Sequence, residues 1–327
     1  MEFINKNIGS GGKGTNDFIK NVILEYFGNS LLDDLRDAAL VNIEKSKLII
    51  STDSFTVIPE FFSGGDIGKL SIYGTCNDVA VSGGVPKYLT LSLIIPDGYK
   101  MKNLLKIFDS MRKAISDVGV KIITGDTKVI DGINTIIVNT TGFGELRSDL
   151  NCYDRIQIGD KVIFSSDIAR HSVAVLIARS ELGFSSDIES DCCSLYDVLK
   201  ELDYRRIKFV RDATRGGVAA VLNEITDKSG KGFLIQEQNV PILESVNYFC
   251  EMLGFDPLQM ANEGVAVIIV DSDYADEALE LIRKTKNGKN AAIVGEVTDC
   301  KKIILETKVG GKRYIEIPTG ELLPRIC

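Results

Sequence analysis

The sequence contains no tryptophan, a single histidine, and no Cys-x-x-Cys pair among its seven cysteines. One histidine cannot build a histidine-rich zinc site. His171 falls on the repeating apolar positions of a predicted helix, which indicates a packed or hydrogen-bonded side chain. An odd number of cysteines without paired spacing is typical of reduced thiols in a reducing compartment. These absences argue against a zinc protein and against a disulfide framework.

Long apolar runs and an excess of basic residues are also missing. The chain has 38 lysines and arginines against 46 aspartates and glutamates, a formal net charge of −8. This charge disfavours nucleic acid and anionic membranes as partners. No apolar run approaches the roughly 18 residues of a membrane span, and the first residues lack a signal-peptide pattern. We therefore expect a cytoplasmic protein that binds neither nucleic acid nor membrane.

The length of 327 residues predicts two domains with sizeable cores. Strands and helices interleave up to residue 144, and they do so again after the polar, irregular stretch 151–159. The spacing of apolar residues between Leu104 and Val118, for example, predicts an amphipathic helix. We predict a mixed α/β fold with an N-terminal domain over residues 1–150, a C-terminal α/β domain over 151–310 and a tail over 311–327.

The final residues are punctuated by proline and glycine and end in a cysteine. Pro318, Gly320 and Pro324 disfavour a helix, and ten extended residues span roughly 33 Å. The pattern is compatible with a flexible tail that carries the thiol of Cys327 between its own protein and a partner. It is equally compatible with an incidental cysteine at a disordered terminus.

Four aspartates lie where strands are predicted to end or where glycines predict turns: Asp53, Asp78, Asp126 and Asp212. Carboxylates bind Mg²⁺, which commonly joins protein carboxylates to the phosphates of a substrate. Glycines such as Gly64 and Gly65 allow a phosphate to approach the backbone. The pattern is compatible with a magnesium–nucleotide site, and also with aspartates that only cap helices and turns.

Six short stretches taken together resemble one enzyme family. They are Ser51-Thr52-Asp53-Ser54, Asn77-Asp78-Val79-Ala80-Val81-Ser82-Gly83, Thr124-Gly125-Asp126-Thr127-Lys128-Val129, Asp212-Ala213-Thr214-Arg215-Gly216-Gly217-Val218, Asn262-Glu263-Gly264 and Pro324-Arg325-Ile326-Cys327. They resemble the HypE family, the carbamoyl dehydratases of nickel–iron hydrogenase maturation. The aspartate motifs are shared with the wider aminoimidazole-ribonucleotide-synthetase-like superfamily, whereas the terminal motif is highly specific. Ile8 and the segment 169–172 depart from the family pattern.

The resemblance implies a fold, an assembly and a binding site. The N-terminal domain would pair its strands across a homodimer, and the C-terminal domain would pack on it. The ATP site would lie in the groove between the two domains, with Mg²⁺ held by the four aspartates. ATP itself would contact Asp53, Asp78, Asp126, Thr127, Asp212, Gly64 and Gly65.

The resemblance also implies a reaction. The carbamoyltransferase HypF would load a carbamoyl group on Cys327, and ATP would phosphorylate the thiocarbamate oxygen. Loss of phosphate and protons would leave a thiocyanate, whose cyanide would pass to iron on a scaffold of HypC and HypD. Glu263 and Lys128 are the candidates for general base and charge stabiliser. A buried ion pair or a simple phosphate contact is the alternative role for these two residues.

Two other functions remain open at this point. A selenophosphate synthetase of the same superfamily would need a catalytic cysteine or selenocysteine near the glycine-rich opening, and residues 8–15 contain no cysteine. A carrier or scaffold without catalytic activity would use the tail only for docking. An ATPase assay on carbamoylated protein separates the carrier from the enzyme.

Overall fold

The computed structural model of the chain describes Ile4 and residues 18–30, 47–179 and 186–316. The terminal Cys327 and the glycine-rich opening at residues 10–14 lie outside the described residues. In the described ranges, no helix has the length and apolar character needed to cross a bilayer.

A four-stranded sheet forms the frame of the N-terminal half. Its strands are β1 (Leu48–Phe55), β4 (Gly84–Pro96), β5 (Lys121–Ile130) and β6 (Ile137–Leu146), in the spatial order β1-β6-β4-β5. The strands β4 and β5 run parallel, and the other neighbours are antiparallel. A short hairpin of β2 (Phe61–Phe62) and β3 (Gly65–Asp66) follows β1.

Helices cover one face of this sheet. They are α2 (Ile67–Val81) and α3 (Met101–Val118), and the short α1 (Leu24–Phe27), preceded by a π-helical turn at Ile19–Ile23, packs on α3. α3 has the predicted amphipathic spacing and buries Leu104, Phe108 and Met111. α2 is buried almost all round because it lies between the sheet and the C-terminal half.

A seven-stranded sheet organises the C-terminal half. Its strands are β7 (Lys161–Phe164), β8 (Ile207–Asp212), β9 (Gly232–Gln236), β10 (Ala266–Val270), β11 (Ala292–Thr298), β12 (Ile303–Glu306) and β13 (Lys312–Tyr314). The spatial order is β13-β12-β9-β11-β7-β10-β8, antiparallel except between β12 and β9.

Apolar cores lie on both faces of the seven-stranded sheet. Its helices are α4 (Arg170–Ala178), α5 (Leu195–Leu199), α6 (Gly217–Ser229), α7 (Glu244–Leu253) and α8 (Ala275–Lys284). β10 is buried at every position, as its unbroken apolar sequence requires for a central strand.

His171 is fully buried on α4 and its Nδ1 lies 2.9 Å from Ser190 Oγ, which confirms the prediction of a hydrogen-bonded histidine.

The structure corrects two predicted strand ends. Asp53 lies inside β1 and Asp126 lies inside β5, not in turns after them. The pairing of β5 with β4 overrides the turn preference of Gly125-Asp126. A Cβ at Gly125 would lie 2.3 Å from the carbonyl oxygen of Leu91 on β4. Glycine is therefore required there by the close approach of two strands rather than by a phosphate.

Candidate active site

Two carboxylates of the N-terminal half meet where β1 crosses the last turns of α2. Ser51 Oγ donates a hydrogen bond to Asp78 Oδ2 at 2.6 Å, and Thr75 Oγ1 donates to Asp53 Oδ2 at 3.3 Å. Residues 51 and 53 share one face of β1 because side chains alternate along a strand. The sheet therefore presents both residues to the same helix.

Two further carboxylates come from the end of β8 and from the turn before its neighbour β10 in the C-terminal half. Asp212 ends β8 and pairs with Ala266, the first residue of β10, three residues after Glu263. The side chain of Asn262 fixes the turn before β10, since it donates to the Ala213 carbonyl at 2.8 Å. This pairing holds Glu263 close to the end of β8.

Asn77 connects the two halves next to these carboxylates. Its Nδ2 donates to the carbonyl oxygens of Cys193 at 3.0 Å and Glu263 at 3.1 Å, and its Oδ1 accepts from the backbone N–H of Leu195 at 2.7 Å. Asn77 is 2% exposed, so all three hydrogen bonds are shielded from water. The neighbouring Asp78 is thereby held against the C-terminal half.

The segment 190–195, which we call the clasp loop, runs between three parts of the site. The N–H of Ser190 donates to the carbonyl of Ser63 at 2.9 Å, next to the β2–β3 turn. Asp191 Oδ2 accepts hydrogen bonds from the N–H groups of both Glu263 and Gly264 at 3.1 Å. Together with its bonds to Asn77, the clasp loop ties the β2–β3 turn, α2 and the turn before β10 together.

The charges of these carboxylates act on one another. Burial raises the pKa of Asp78 to about 8, and the charges of Asp212 and Asp53 add to the rise. Burial likewise raises the pKa of Asp212 to about 6. Burial, followed by the charges of Asp191, Asp212, Asp53 and Asp78, holds the pKa of Glu263 well above its ordinary value. Asp53, Asp78, Asp212 and Glu263 therefore form one group, which we call the acidic cluster.

No lysine or arginine in the described part of the chain forms a salt bridge with a member of the acidic cluster. The described part of the chain contains no ready-made group of three metal-binding side chains. Crowded carboxylates without a salt-bridge partner favour either proton uptake or the binding of a cation.

Asp126, Thr127 and Lys128 lie apart from the acidic cluster in the protomer. Asp53 shares a cross-strand row with Gly125, so Asp126, one residue further on, points to the opposite face of the sheet. β5 is three strand positions from β1, a separation of about 14 Å. Lys128 Nζ is 2.7 Å from Asp126 Oδ1, and both side chains are exposed. The structure thus brings together three of the four predicted aspartates and separates Lys128 from Glu263.

Gly64 lies in the turn between β2 and β3, and Gly65 is the first residue of β3. Gly64 has a φ of +83°, and a Cβ there would lie 2.6 Å from the backbone nitrogen of Ser190. Lys69 Nζ donates to the Gly64 carbonyl at 2.7 Å. The turn therefore packs closely on the clasp loop, and a role of these glycines in binding ATP stays a prediction.

Three residues of the site were given no role by sequence reasoning: Asn77, Asp191 and Lys69. Asn77 stands beside Asp78 in a recognised motif, but only its three cross-domain hydrogen bonds reveal a structural role. Asp191 lies in a polar stretch whose sequence is typical of an ordinary loop. Long-range contacts of this kind have no periodic signal in a sequence.

The raised pKa of Asp78 gives a first prediction. Because burial and the neighbouring carboxylates raise the pKa of Asp78 in the folded protein, we expect this carboxyl group to hold a proton at pH values where the unfolded chain, with an ordinary pKa of 3.8, has released it. The free energy of unfolding should therefore fall as the pH rises through this window. Asp78→Asn removes this titration and should raise stability near pH 8 by about 2 kcal/mol, a value discounted for partial exposure. Urea unfolding across the window measures the change.

The control for this experiment is Asp197→Asn, which removes a partly exposed carboxylate paired with Lys200 at 2.6 Å. It leaves Asp78 in place, so the fall in stability with rising pH should persist in this variant. An Asp78→Asn variant with the wild-type slope would show that Asp78 is ionised in the folded protein at neutral pH.

Both halves of the chain match one class of enzymes. Residues 35–146 match the family described as AIR synthase related protein, N-terminal domain, and residues 157–308 match the corresponding C-terminal domain. The fold, with an acidic cluster at the junction of the halves, thus defines a two-domain protein of the AIR-synthase-related class.

Full-length relatives identify the family within this class. The chain is 37% identical over 328 residues to the carbamoyl dehydratase HypE of Escherichia coli, covering 98% of both chains. It is 38% identical to a crystal structure of the hydrogenase maturation protein HypE in complex with ATP, with a TM-score of 0.93 and 99% of both chains covered. The chain belongs to the HypE family of carbamoyl dehydratases, which confirms the resemblance seen in the sequence motifs.

A second similar structure is that of a HypE–HypF complex. The chain is 41% identical to this structure, with a TM-score of 0.79, and the match covers 92% of this chain and 99% of the other.

Proposed function

We propose that this protein is an ATP-dependent carbamoyl dehydratase that converts a thiocarbamate on Cys327 into a thiocyanate. The observation that carries the proposal is the acidic cluster at the junction of the two halves. It supplies carboxylates for phosphoryl transfer and a buried carboxyl group for proton removal. The similarity to a HypE structure solved with ATP supports the choice of nucleotide.

The proposed reaction balances in two steps. The carbonyl oxygen of the thiocarbamate attacks the γ-phosphorus of ATP, so that an O–P bond forms and ADP leaves. The nitrogen then loses its two protons and the C–O bond breaks, which releases inorganic phosphate and leaves an S-bound C≡N group. Phosphorylation is needed because an unmodified oxygen is a poor leaving group, and the proton loss requires a base.

Glu263 is the proposed base because it is the most enclosed member of the acidic cluster, at 5% exposure. Its raised pKa means that, once ionised, it accepts a proton more readily than an ordinary glutamate. The peptide carbonyl of Glu263 is anchored by Asn77, so its backbone is fixed relative to Asp78.

The chemistry of the acidic cluster suits Mg²⁺, because it offers carboxylates without a salt-bridge partner in the described chain, although these side chains do not form a ready three-ligand site there. Asp53, Asp78 and Asp212 would hold the ion, and when bound it would neutralise charge on the carboxylates and on the transferred phosphoryl group. Asp126, Thr127 and Lys128 lie outside the acidic cluster of their own protomer. Any contact of these residues with ATP would therefore be made away from that cluster.

The test uses protein carbamoylated by the carbamoyltransferase HypF and then given ATP and Mg²⁺. Intact-protein mass spectrometry should show the carbamoyl adduct and then its conversion by loss of water, with ADP and phosphate formed in equal amounts. Cys327→Ser should gain no adduct, whereas Cys300→Ser, which changes an exposed cysteine of the C-terminal half, should behave as wild type. Carbamoylated protein that turns over no ATP would instead favour the carrier function.

We further propose that the protein forms a homodimer through the face of the N-terminal sheet that no described helix covers. Large apolar side chains lie exposed on this face, including Leu48, Ile50 and Ile130. The pair Asp126 and Lys128 lies on the same face, so a dimer formed there would bring these residues to the interface. A sheet face with exposed apolar side chains is typical of an interaction surface.

Sedimentation equilibrium at micromolar concentration should show a dimer. Ile50→Lys places a charge on the proposed interface and should yield a monomer. Ile158→Lys is the matched control, because Ile158 is an exposed isoleucine of the C-terminal half, at 64% exposure, and should leave the dimer intact. A wild-type monomer would exclude this assembly.

The remaining partners follow from the proposed reaction. HypF would load Cys327, in keeping with the known HypE–HypF complex, and the cyanide would pass to iron on HypC and HypD for nickel–iron hydrogenase assembly. The six described cysteines are all free thiols, which suits the reducing cytoplasm.

A further inference from the structure

Asp191 is a buried carboxylate that the proposed reaction does not use directly. It is 3% exposed and lies on the clasp loop of the C-terminal half. One of its oxygens, Oδ2, accepts the N–H groups of Glu263 and Gly264, each at 3.1 Å. The other oxygen is buried without a hydrogen-bond partner among the described residues. An incompletely satisfied buried carboxylate is costly, so a purely stabilising role explains it poorly.

The two N–H groups bound by Asp191 lie on either side of the Cα of Glu263. Fixing the peptide groups before and after a residue fixes its φ and ψ, and with them the direction of its Cα–Cβ bond. The carbonyl of Glu263 is fixed as well, by Asn77 Nδ2 at 3.1 Å. The N–H group and the carbonyl group of Glu263 are therefore both held by hydrogen bonds.

Gly264 makes this contact possible. A Cβ at position 264 would lie 2.0 Å from the carbonyl oxygen of Asp191 and 2.5 Å from Cys193 Sγ. Only glycine lets the clasp loop approach the turn this closely, which gives a physical reason for the Asn262-Glu263-Gly264 sequence.

We propose that Asp191 is a positioning residue for Glu263, which aims the Glu263 side chain into the acidic cluster through these two hydrogen bonds. The inference rests on the proposed function, in which Glu263 is the base. The charge of Asp191 also supports the role of Glu263 as a base. After burial, it is the foremost of the neighbouring charges that raise the pKa of Glu263.

The test is single-turnover dehydration of carbamoylated full-length protein at saturating ATP and Mg²⁺. Asp191→Ser is too short to reach the turn and should slow the reaction about 10- to 100-fold, the scale of a misplaced catalytic group. The ATP concentration for the half-maximal rate should change by less than about twofold, because the ATP-binding carboxylates are untouched. Asp191→Asn retains an oxygen that can accept both N–H groups and should restore the rate to within about threefold of wild type.

Ser172→Ala is the matched control. It removes a buried hydrogen bond to the Ala261 carbonyl, at 2.8 Å, close to the same turn but without contact to Glu263. Its dehydration rate should equal that of the wild type even where its thermal stability falls. Gly264→Ala disturbs the same contact from the turn before β10 and should reproduce the loss seen in Asp191→Ser, so that the test does not depend on one variant folding.

A double variant shows whether Asp191 acts through Glu263. In the background of Glu263→Gln, Asp191→Ser should cause no further loss of rate, because the group that it positions is already gone. A full additional loss, a wild-type rate in the folded Asp191→Ser or Gly264→Ala variants, or an Asp191→Asn variant as slow as Asp191→Ser would each overturn the inference. A wild-type protein that forms no thiocyanate would overturn the proposed function itself, together with the role of Asp191.

Discussion

Glu263→Gln is expected to stop the reaction between phosphoryl transfer and thiocyanate formation. Glutamine has nearly the shape of glutamate but cannot accept the proton that the nitrogen must lose. The rate of dehydration should fall by about 10²- to 10⁴-fold, the usual contribution of a general base. ATP should still bind, because the remaining carboxylates of the acidic cluster are unchanged.

The point at which the reaction stops distinguishes a base from a ligand of ATP. Rapid-quench samples should show ADP formed once per carbamoylated protein, without the loss of water from the adduct. A Glu263→Gln variant that forms neither ADP nor thiocyanate would place Glu263 in the phosphoryl-transfer step instead. Glu296→Gln, which breaks a surface salt bridge with Lys161, is the control and should react as wild type.

The pH dependence of the wild-type reaction gives a second measurement of the same role. Burial and the neighbouring carboxylates raise the pKa of Glu263 well above its ordinary value, so the base is protonated at low pH. The dehydration rate should therefore rise with pH until Glu263 is ionised, and this rise should be lost in Glu263→Gln. A flat profile in wild-type protein would show that proton removal by Glu263 does not limit the rate.

The strongly periodic elements were predictable from the sequence. The helix predicted between Leu104 and Val118 is found where its apolar spacing places it, as Met101–Val118. Two other elements gave no clear signal and were missed, namely β9 (Gly232–Gln236) and α7 (Glu244–Leu253). Local propensity is a weak guide where tertiary contacts decide the structure.

The candidate site was predictable only in part. Asp53, Asp78, Asp212 and Glu263 could be selected because they occur in short motifs, and the structure brings them together. The separation of Asp126 from Asp53 was not predictable, because it depends on the strand order β1-β6-β4-β5 and on alternation across the sheet. A sequence does not state which strands are neighbours.

Asn77→Leu is expected to have the largest effect on stability. The substitution keeps a similar volume but removes the three hydrogen bonds that join α2 to the C-terminal half. It leaves the carbonyls of Cys193 and Glu263 and the N–H of Leu195 without partners in a buried place. Each unsatisfied buried group costs about 1–3 kcal/mol, and partial relaxation suggests a total loss of about 3–5 kcal/mol.

The same substitution should also separate the unfolding of the two halves, because Asn77 is the polar link between them at the acidic cluster. Urea unfolding followed by circular dichroism should change from one transition to two. Asn223→Leu is the matched control, since the Nδ2 of Asn223 donates to Ala219 and Ile315 entirely within the C-terminal half. It should cost about 1–2 kcal/mol and preserve a single transition. If Asn77→Leu lost no more stability than Asn223→Leu and unfolded in one step, the hydrogen bonds of Asn77 would not be what couples the unfolding of the two halves.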